Sequence, residues 1–445
     1  MVSQWLGMSP RGGTVAQVVE GNPLDRNVLT VLILLGLIAL FNRREAVATI
    51  LKNNTVLLVF FAYCALSILW SDYPDIAFKR WIKAIGDLVM LLVVVTDPGG
   101  SAGMKRLLAR VGFVLIPLSI LLIKYYPLIG TGNRIANGHK VFTGVTTDKN
   151  MLGVLCLIFG LAATWRILQR FRGNDRSGGR YSLIAQGVLL GMVFWLFSVA
   201  GSMTSLICFL FGTSLLLVTS IPALGRKRAV IHLIVVASLA VAAVPIFFDA
   251  GGALLTAVGR DPTLTGRTEI WSEVIDLAAS PLFGVGFESF WLGPRLEALW
   301  SKHWWHPNEA HNGYIEIFLN LGWTGLLLLA ILIIIGYRNV LRALREDPSS
   351  GLRLAYFLVG LTYGVSEAGF RPLHPVWFCF MLATTATPLI GVQQPAEVER
   401  PRPEPVRLGR WQTPALSGRF PQAGAARGWP RPEGVKTGTS SRWPR

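Results

Sequence analysis

Charged residues are scarce in this sequence. Asp, Glu, Lys and Arg make up 15% of its 445 residues, whereas soluble proteins carry about 25%. Hydrophobic residues make up 52%, and the mean hydropathy is +0.49. The shortage of charge argues against a soluble enzyme and indicates a chain that is solvated by lipid.

Cysteine pairs and signals of nucleic-acid binding are also missing. The four cysteines lie singly in apolar runs without any CxxC pair, which predicts small buried side chains. The net charge is +17, but no compact basic domain with interleaved aromatic residues is present, so no nucleic-acid partner is expected. No basic start leads directly into an apolar run, so we expect no cleavable signal peptide.

Apolar runs long enough to cross a membrane occur along most of the chain. A spanning segment needs roughly 17–25 mostly apolar residues and must be helical, because lipid offers the backbone no hydrogen-bond partner. The sequence therefore predicts an all-α polytopic membrane protein with about eleven transmembrane helices. These helices are expected near residues 28–41, 55–71, 83–96, 111–127, 151–168, 182–199, 203–221, 229–248, 313–336, 352–368 and 373–391.

The loops between these runs differ in charge. Five short loops contain eighteen Lys and Arg residues, whereas the longest loop on the opposite side, 249–312, has only Arg260, Arg267, Arg295 and Lys302. Because cationic loops stay in the cytoplasm, loops 249–312 and 124–150 are predicted to face outward together. An outward N-terminus before eleven helices leaves open a further helix upstream of Met1.

The chain is expected to divide into five parts. They are an N-terminal segment (1–27), eight helices (28–248), a structured outward loop (249–312), three more helices (313–392) and a tail (393–445). The tail holds ten Lys and Arg residues and four Glu among many Pro and Gly residues. It is therefore predicted to be a disordered, basic, cytoplasmic segment.

The long outward loop contains a predicted amphipathic helix. Thr265 is placed to cap it, apolar residues follow at helical spacing, and Pro281 ends it. Arg267 lies in its first turn, where free backbone N–H groups and a guanidinium together suit an anion. Solvation alone is the other interpretation of Arg267.

Three histidines lie close together near the end of this loop. His303, His306 and His311, with Glu309 as a fourth group, are one candidate zinc site. Their spacing matches no zinc-protease motif, and Pro307 breaks any helix that would align the first two. No bound metal is therefore expected.

His311 alone gives the second interpretation of this segment. Asn312, Glu316 and Asn320 lie at four-residue intervals and so share one face of the next helix. An imidazole that is neutral at pH 7 can accept a proton from a substrate hydroxyl, which makes His311 a candidate general base, with Glu316 as its orienting partner. The alternative is a His/Asn/Glu cluster that only fastens helices together.

The outward loop 124–150 is unusually cationic for its side of the membrane. Arg134, Lys140 and Lys149 lie there, and Asn150 begins the next apolar run. Cations on the outer face oppose the positive-inside rule. Their presence therefore indicates a functional role, such as binding a phosphate headgroup at the bilayer surface.

Five segments occur in an order typical of one membrane family. They are TGVTTDKNMLG at 143–153, SMTS at 202–205, GRTEIW at 266–271, PLFGVG at 281–286 and AHNGYIE at 310–316. Over residues 20–392 the chain resembles the O-antigen ligase/polymerase superfamily (Wzy/WaaL-like), most of all its exopolysaccharide polymerisation (ExoQ-like) branch.

The resemblance implies a GT-C-like glycosyltransferase of the bacterial inner membrane, with loop 249–312 as its periplasmic catalytic loop. Such proteins transfer a glycan from a polyprenyl (undecaprenyl) diphosphate carrier to a hydroxyl on the periplasmic face, without a metal or other cofactor. The family's loop arginine and histidine match Arg267 and His311, so the expected catalytic residues are His311, Arg267 and Glu316. Residues that bind the donor diphosphate are expected at Arg134, Lys140, Lys149, Asn150 and Asn312.

Two positions depart from the family pattern. Met203 stands where the SMTS-like segment often has a cation, and Asp148 stands where a histidine usually precedes Lys-Asn. The ligase branch tends to have an arginine at the Met203 position, so we expect a polymerase. Direct attack opposite the leaving group would invert the anomeric centre.

Two other functions stay open at this point. One is an O-antigen ligase or O-oligosaccharyltransferase with the same chemistry, and the other is a lipid-linked glycan transporter or flippase. The expected partners are the lipid bilayer and the lipid-linked oligosaccharide, with a chain-length regulator and a flippase left open.

Overall fold

The computed structural model describes residues 22–133, 140–173, 179–221, 227–247, 265–303, 305–346 and 350–386. Predictions for residues 1–21, Arg134, residues 249–264 and the tail 393–445 lie outside these ranges. Two short antiparallel strands, β1 (Thr131–Asn133) and β2 (Lys140–Phe142), form a hairpin. The helices are α1 (Pro23–Phe41), α2 (Arg44–Asn53), α3 (Thr55–Leu66), α4 (Pro74–Val95), α5 (Gly100–Tyr125), α6 (Lys149–Phe171), α7 (Gly179–Ala200), α8 (Met203–Ser220), α9 (Arg228–Phe247), α10 (Thr265–Asp276), α11 (Gly293–Lys302), α12 (Gly313–Glu346), α13 (Gly351–Ser366) and α14 (Pro375–Thr384).

Each of the eleven predicted apolar runs lies mainly in one of these helices, which confirms a helical, multi-pass architecture. Within the described ranges six helices are long and apolar enough to cross a membrane, namely α1, α5, α6, α7, α8 and α12. Helix α2 and the segment Thr55–Trp70 would add a seventh span, with a bend of 87° between them. The remaining predicted spans lie in shorter or more charged helices, so the count of eleven stays a prediction.

The outer surface of the bundle is apolar, as a lipid-facing surface must be. Helix α1 exposes Val31, Leu34, Leu35, Ile38 and Phe41. Helices α6 and α13 lie in the interior, where α6 packs against α7 and α8, and α13 packs against α8 and α14. The four cysteines are buried and unpaired, as predicted.

The helices that meet the outward loops begin at capping residues or prolines. Asp148 accepts hydrogen bonds from two backbone N–H groups in the first turn of α6, and Asn312 does the same at the start of α12. Such caps satisfy N–H groups that have no partner within the helix. Helices α4 and α14 begin with Pro74 and Pro375, which have no N–H to satisfy. Local sequence therefore fixes where these loops meet the helix ends.

Helix α12 is broken at Gly322, whose φ of +65° and ψ of −164° are not helical. The backbone of the 281–286 loop fills the break, and the N–H of Trp323 donates to the carbonyl of Pro281 at 2.9 Å. Gly284 (φ +71°) packs on the same backbone, and a Cβ there would lie 2.3 Å from a carbonyl carbon of α12. The missing side chain of Gly284 therefore lets the backbone of the PLFGVG segment approach the backbone of α12 closely.

We expect Gly322→Ala to destabilise the protein by about 2–4 kcal/mol, because it adds left-handed strain and a steric clash. A Cβ at Gly322 would lie 2.4 Å from the carbonyl carbon of Leu282. Thermal unfolding of the detergent-purified variant should show a lower midpoint than the parent protein. The matched control is Gly187→Ala in α7, where a Cβ meets no atom within 4 Å and where alanine favours the helix. Equal midpoints for the two variants would contradict the tight packing at the break.

Candidate active site

His311 lies at the end of the loop before helix α12, and Asn312 separates it from the first residue of that helix. Its Nδ1 is 2.9 Å from Oε1 of Glu309 and 3.1 Å from Oε2 of Glu367. The imidazole is 23% exposed, whereas the Glu367 carboxylate is 7% exposed. Because Nδ1 faces both carboxylates, Nε2 is the ring nitrogen that is available to a substrate.

Arg371, in the turn between α13 and α14, extends this set of contacts. Its Nη1 donates to Oε2 of Glu309 at 2.9 Å, and its Nη2 lies 3.6 Å from Oε2 of Glu288. Glu309 thus bridges a guanidinium and an imidazole with its two oxygens. Residues from three separate parts of the sequence form one charged group, the Glu–His–Arg cluster (Glu288, Glu309, His311, Glu367 and Arg371).

The charges of the Glu–His–Arg cluster alter the proton affinity of His311. Burial by itself lowers the pKa of the imidazole, but Glu309 and Glu367 outweigh it and raise the pKa to about 9. Burial also raises the pKa of Glu309, but His311 and Arg371 outweigh it and lower the pKa to about 2. This environment therefore favours the protonated form of His311 at pH 7. The expected neutral imidazole is not what this environment favours, because two carboxylates flank the ring.

Three residues in or beside this cluster have left-handed backbone conformations that are uncommon outside glycine. They are Glu288 (φ +53°), His311 (φ +50°) and Leu373 (φ +61°). Such conformations persist where the surrounding contacts impose them, and they cluster at active sites and ligand clamps. Their occurrence in the three segments that meet at Arg371 favours a functional site over a cluster that only fastens helices.

Glu316 holds the backbone before His311 rather than the imidazole itself. Its buried carboxylate accepts hydrogen bonds from the N–H of Ala310 at 2.5 Å and from the indole N–H of Trp291 at 3.0 Å. Among the described residues Glu316 has no direct contact with the imidazole of His311, because this face of α12 packs on the loop that contains Trp291. Glu316 positions His311 through the peptide before it.

Helix α10 brings Arg267 toward the same loop. Trp271, one turn further along α10, donates from its indole N–H to the carbonyl of Ala310 at 2.7 Å. Helix α10 also shares a buried apolar cluster with α11 and α12. The side chain of Arg267 lies outside the described residues, so its approach to His311 stays a prediction that the position of its helix supports.

The start of α6 reaches the Glu–His–Arg cluster through Asn150, whose side-chain amide lies 3.5 Å from Oε1 of Glu367. Lys149 is the first residue of the same helix. Lys140 is exposed at the start of β2, and Asn312 uses its side-chain oxygen as the cap of α12. Asn150 is therefore a predicted donor-binding residue that contacts the cluster. The roles of the other predicted donor-binding residues stay predictions.

Sequence reasoning missed Glu367, Arg371 and Glu288. The predicted span 352–368 included Glu367, although a carboxylate at the end of an apolar run is itself a sign of function. Arg371 follows on a side of the membrane where cations are few. These two signals were present in the sequence. Glu288 gave none, because its position depends on how the 281–286 loop docks into α12.

Part of this cluster has the side chains of a candidate divalent-cation site. One ligand atom each from Glu309, His311 and Glu367 lies within 4.8 Å of the others, and carboxylates with imidazole suit several metals. Arg371 already donates to Glu309, and a guanidinium beside a metal ligand opposes a second positive charge. The histidines proposed from sequence do not gather, since His303 bonds to Glu273 at 2.9 Å and His306 stacks on Trp300.

These observations define a multi-pass helical membrane protein with a charged site built around a histidine at the end of the loop that precedes α12. A protein-family model described as O-antigen ligase matches residues 188–330. The matched segment contains Arg267, Glu309 and His311, whereas Glu367 and Arg371 follow it.

The chain is also similar to the exopolysaccharide production protein ExoQ of Rhizobium meliloti (strain 1021). The two are 27% identical over 316 residues, which cover 68% of each chain. Both comparisons confirm the resemblance that the five motifs indicated. They support a glycan-processing role of the O-antigen ligase/polymerase kind for this membrane protein.

Proposed function

We propose that the protein is a polysaccharide polymerase of the bacterial inner membrane, with its active site on the periplasmic face. It transfers a glycan from a polyprenyl diphosphate carrier to a sugar hydroxyl of the acceptor. The observation that carries this proposal is His311, whose Nδ1 is held by two carboxylates while Nε2 stays available. Similarity to an exopolysaccharide production protein supports the choice of product.

In the proposed reaction Nε2 of neutral His311 accepts the proton of the acceptor hydroxyl. The hydroxyl oxygen forms a bond to the anomeric carbon, and the bond from that carbon to the diphosphate breaks with its electron pair on the phosphate oxygen. Direct displacement inverts the anomeric centre. Glu309 and Glu367 hold the Nδ1–H and stabilise the imidazolium that forms, as the carboxylate of a catalytic triad does.

The raised pKa of His311 makes the neutral imidazole a stronger base but lowers the fraction of His311 that is neutral. A base with a pKa of about 9 accepts a proton more strongly than ordinary histidine. Only roughly 1% of it is neutral at pH 7, because each pKa unit is a tenfold change in the ratio of the two forms. General-base catalysis is a compromise between these two quantities.

The leaving diphosphate gains negative charge as the bond breaks, and cations fixed beside it lower the barrier. Arg267 is the first candidate, with Arg134, Lys140 and Lys149 as further predicted contacts, and Asn150 and Asn312 as neutral ones. Arg371 adds a guanidinium in contact with the carboxylate that holds His311. This supply of cations supports chemistry without a metal ion.

A ligase is the second candidate, because the family model that matches this chain is described as O-antigen ligase. The two functions share the chemistry at His311 and differ in the acceptor. Met203 takes the place where the ligase branch tends to have arginine, which favours the polymerase.

The proposal is tested with the purified protein in nanodiscs and a lipid-linked repeat unit as donor. A polymerase yields a ladder of products that remain on the carrier, with or without EDTA. A single transfer to a lipid A-core acceptor would instead establish the ligase. Loss of activity with EDTA and its return with a divalent cation would contradict the metal-free reaction. Movement of the donor across vesicles without any product would favour a transporter.

A further inference from the structure

Two cations on α4 belong to no function described so far. Arg80 and Lys83 lie about two turns into the helix and are partly buried, whereas Lys79 on the same helix is exposed. Positively charged residues are expensive within a lipid-embedded bundle and tend to face a cavity or a partner. Their inward position therefore calls for an explanation.

Both cations lie near Glu288 of the Glu–His–Arg cluster. Arg80 donates from Nη1 to the backbone carbonyl of Glu288, and Arg371 approaches the Glu288 carboxylate at 3.6 Å. Lys83 lies within electrostatic range of both Arg80 and Glu288, and Arg80 within range of Arg371. Arg371 thus approaches the carboxylate of Glu288, and the two cations of α4 lie near the same residue.

Lys83 makes no hydrogen bond or ion pair with any residue in the described ranges. Two carboxylates, those of Asp25 and Glu288, lie within electrostatic range of Lys83, and Glu288 is already approached by the guanidinium of Arg371. A partly buried ammonium without a direct partner is costly, so an anion from outside the chain would relieve it. Because lysine binds phosphate as a point charge and arginine binds it through a fork of donors, the trio suits a phosphate ester.

The exposed face of α4 indicates where the rest of such a ligand would lie. Phe78 and Ile82 are 52% and 40% exposed and alternate with the two partly buried cations along the helix. A phosphate held by Arg80 and Lys83 would therefore lie beside an apolar, lipid-facing surface. That arrangement fits a phosphate attached to an isoprenoid chain better than a free phosphate ion.

We propose that Arg80, Lys83 and Arg371 bind the diphosphate of the lipid-linked donor, in addition to the cations predicted from the outward loops. The proposal rests on the proposed function, since it names the part of the site that holds the donor. It places the donor phosphates among these three cations, next to the residues that hold His311. Breakage of the bond to the anomeric carbon would then leave the new negative charge among these cations.

The test measures binding of farnesyl diphosphate to the full chain in neutral detergent by titration calorimetry. Lys83→Met is expected to weaken binding about tenfold to a hundredfold, because it removes one charge-assisted contact. The matched control is Lys79→Met, which removes the exposed lysine one turn before Lys83 and should bind within about twofold of the parent protein. Equal affinity for Lys83→Met, with an unchanged unfolding midpoint, would overturn the proposal.

Two further experiments are needed. One identifies which kind of phosphate the site binds, and the other tests the site independently of the proposed function. Competition by phosphatidylglycerol at equal concentration would assign the site to phospholipid headgroups and overturn the diphosphate assignment. His311→Ala should bind farnesyl diphosphate normally although it cannot transfer glycan. Weak binding by Lys83→Met would therefore support the diphosphate site whether or not His311 is the base. Normal binding by Lys83→Met would overturn the diphosphate site without affecting the role of His311.

Discussion

Replacing His311 by alanine is expected to reduce polymer formation by about 10²–10⁴-fold, the range that a general base contributes. The imidazole is the one titratable group of the cluster that has an available nitrogen, since Arg371 stays protonated and each carboxylate is engaged. His311→Gln should be equally inactive, because its amide can bond to the carboxylates but cannot accept a proton. The measurement is the initial rate of chain extension with the lipid-linked donor in nanodiscs.

The control for this prediction is His232→Ala. His232 is exposed on α9 and bonds to the hydroxyl of Tyr337, so its removal deletes an imidazole outside the Glu–His–Arg cluster. The unfolding midpoint of each variant reports whether the fold survives the change. Long polymer at the parent rate from both His311 variants would refute the assignment of the base.

Replacing Glu367 by glutamine is expected to lower kcat/KM about 10- to 1,000-fold and to move its pH dependence. Partners that orient a reactive imidazole are commonly worth such factors. For a general base, kcat/KM rises with pH as His311 of the free enzyme loses its proton. The parent protein should rise through about pH 9, as the pKa of His311 indicates. Removing one of the two carboxylates lowers that pKa, so the rise should move to lower pH.

Glu309→Gln is the comparison that distinguishes the two carboxylates. It should shift the pH profile in the same direction, because Glu309 also raises the pKa of His311. It should also reduce thermal stability more than Glu367→Gln, since it removes the carboxylate at 2.9 Å from Arg371 and leaves that guanidinium only the longer contact with Glu288. A pH profile unchanged in both variants would mean that His311 is not the group whose titration limits the rate.

The fold was largely accessible from sequence because lipid imposes simple rules. Long apolar runs must become helices in lipid, and all eleven predicted runs lie mainly in helices. The break at Gly322 was not accessible, because a glycine within an apolar run reads as an ordinary helical residue. It becomes a break only when the backbone of the 281–286 loop docks beside it, a contact between segments that are distant in sequence.

The candidate site was accessible only in part for a related reason. His311 was found because polar residues follow it on one helix face, and Asn150 because it borders a cationic loop. Glu316 shares that face but turns toward Trp291, which helical spacing cannot reveal. Arg371 and Glu367 enter from another pair of helices, so their meeting with His311 depends on the packing of α12 against α13.

The break in α12 has a consequence for how sugars reach the reaction. The apolar part after the break, residues 323–337, rises only about 22 Å, less than the roughly 30 Å of bilayer hydrocarbon. The nine residues before the break therefore complete the span, and Glu316 and Asn320 lie near one edge of the hydrocarbon, where both are buried against the loop that contains Trp291. In the proposed reaction a hydrophilic acceptor would then arrive from the aqueous side of that edge, while the isoprenoid carrier stays dissolved in the membrane.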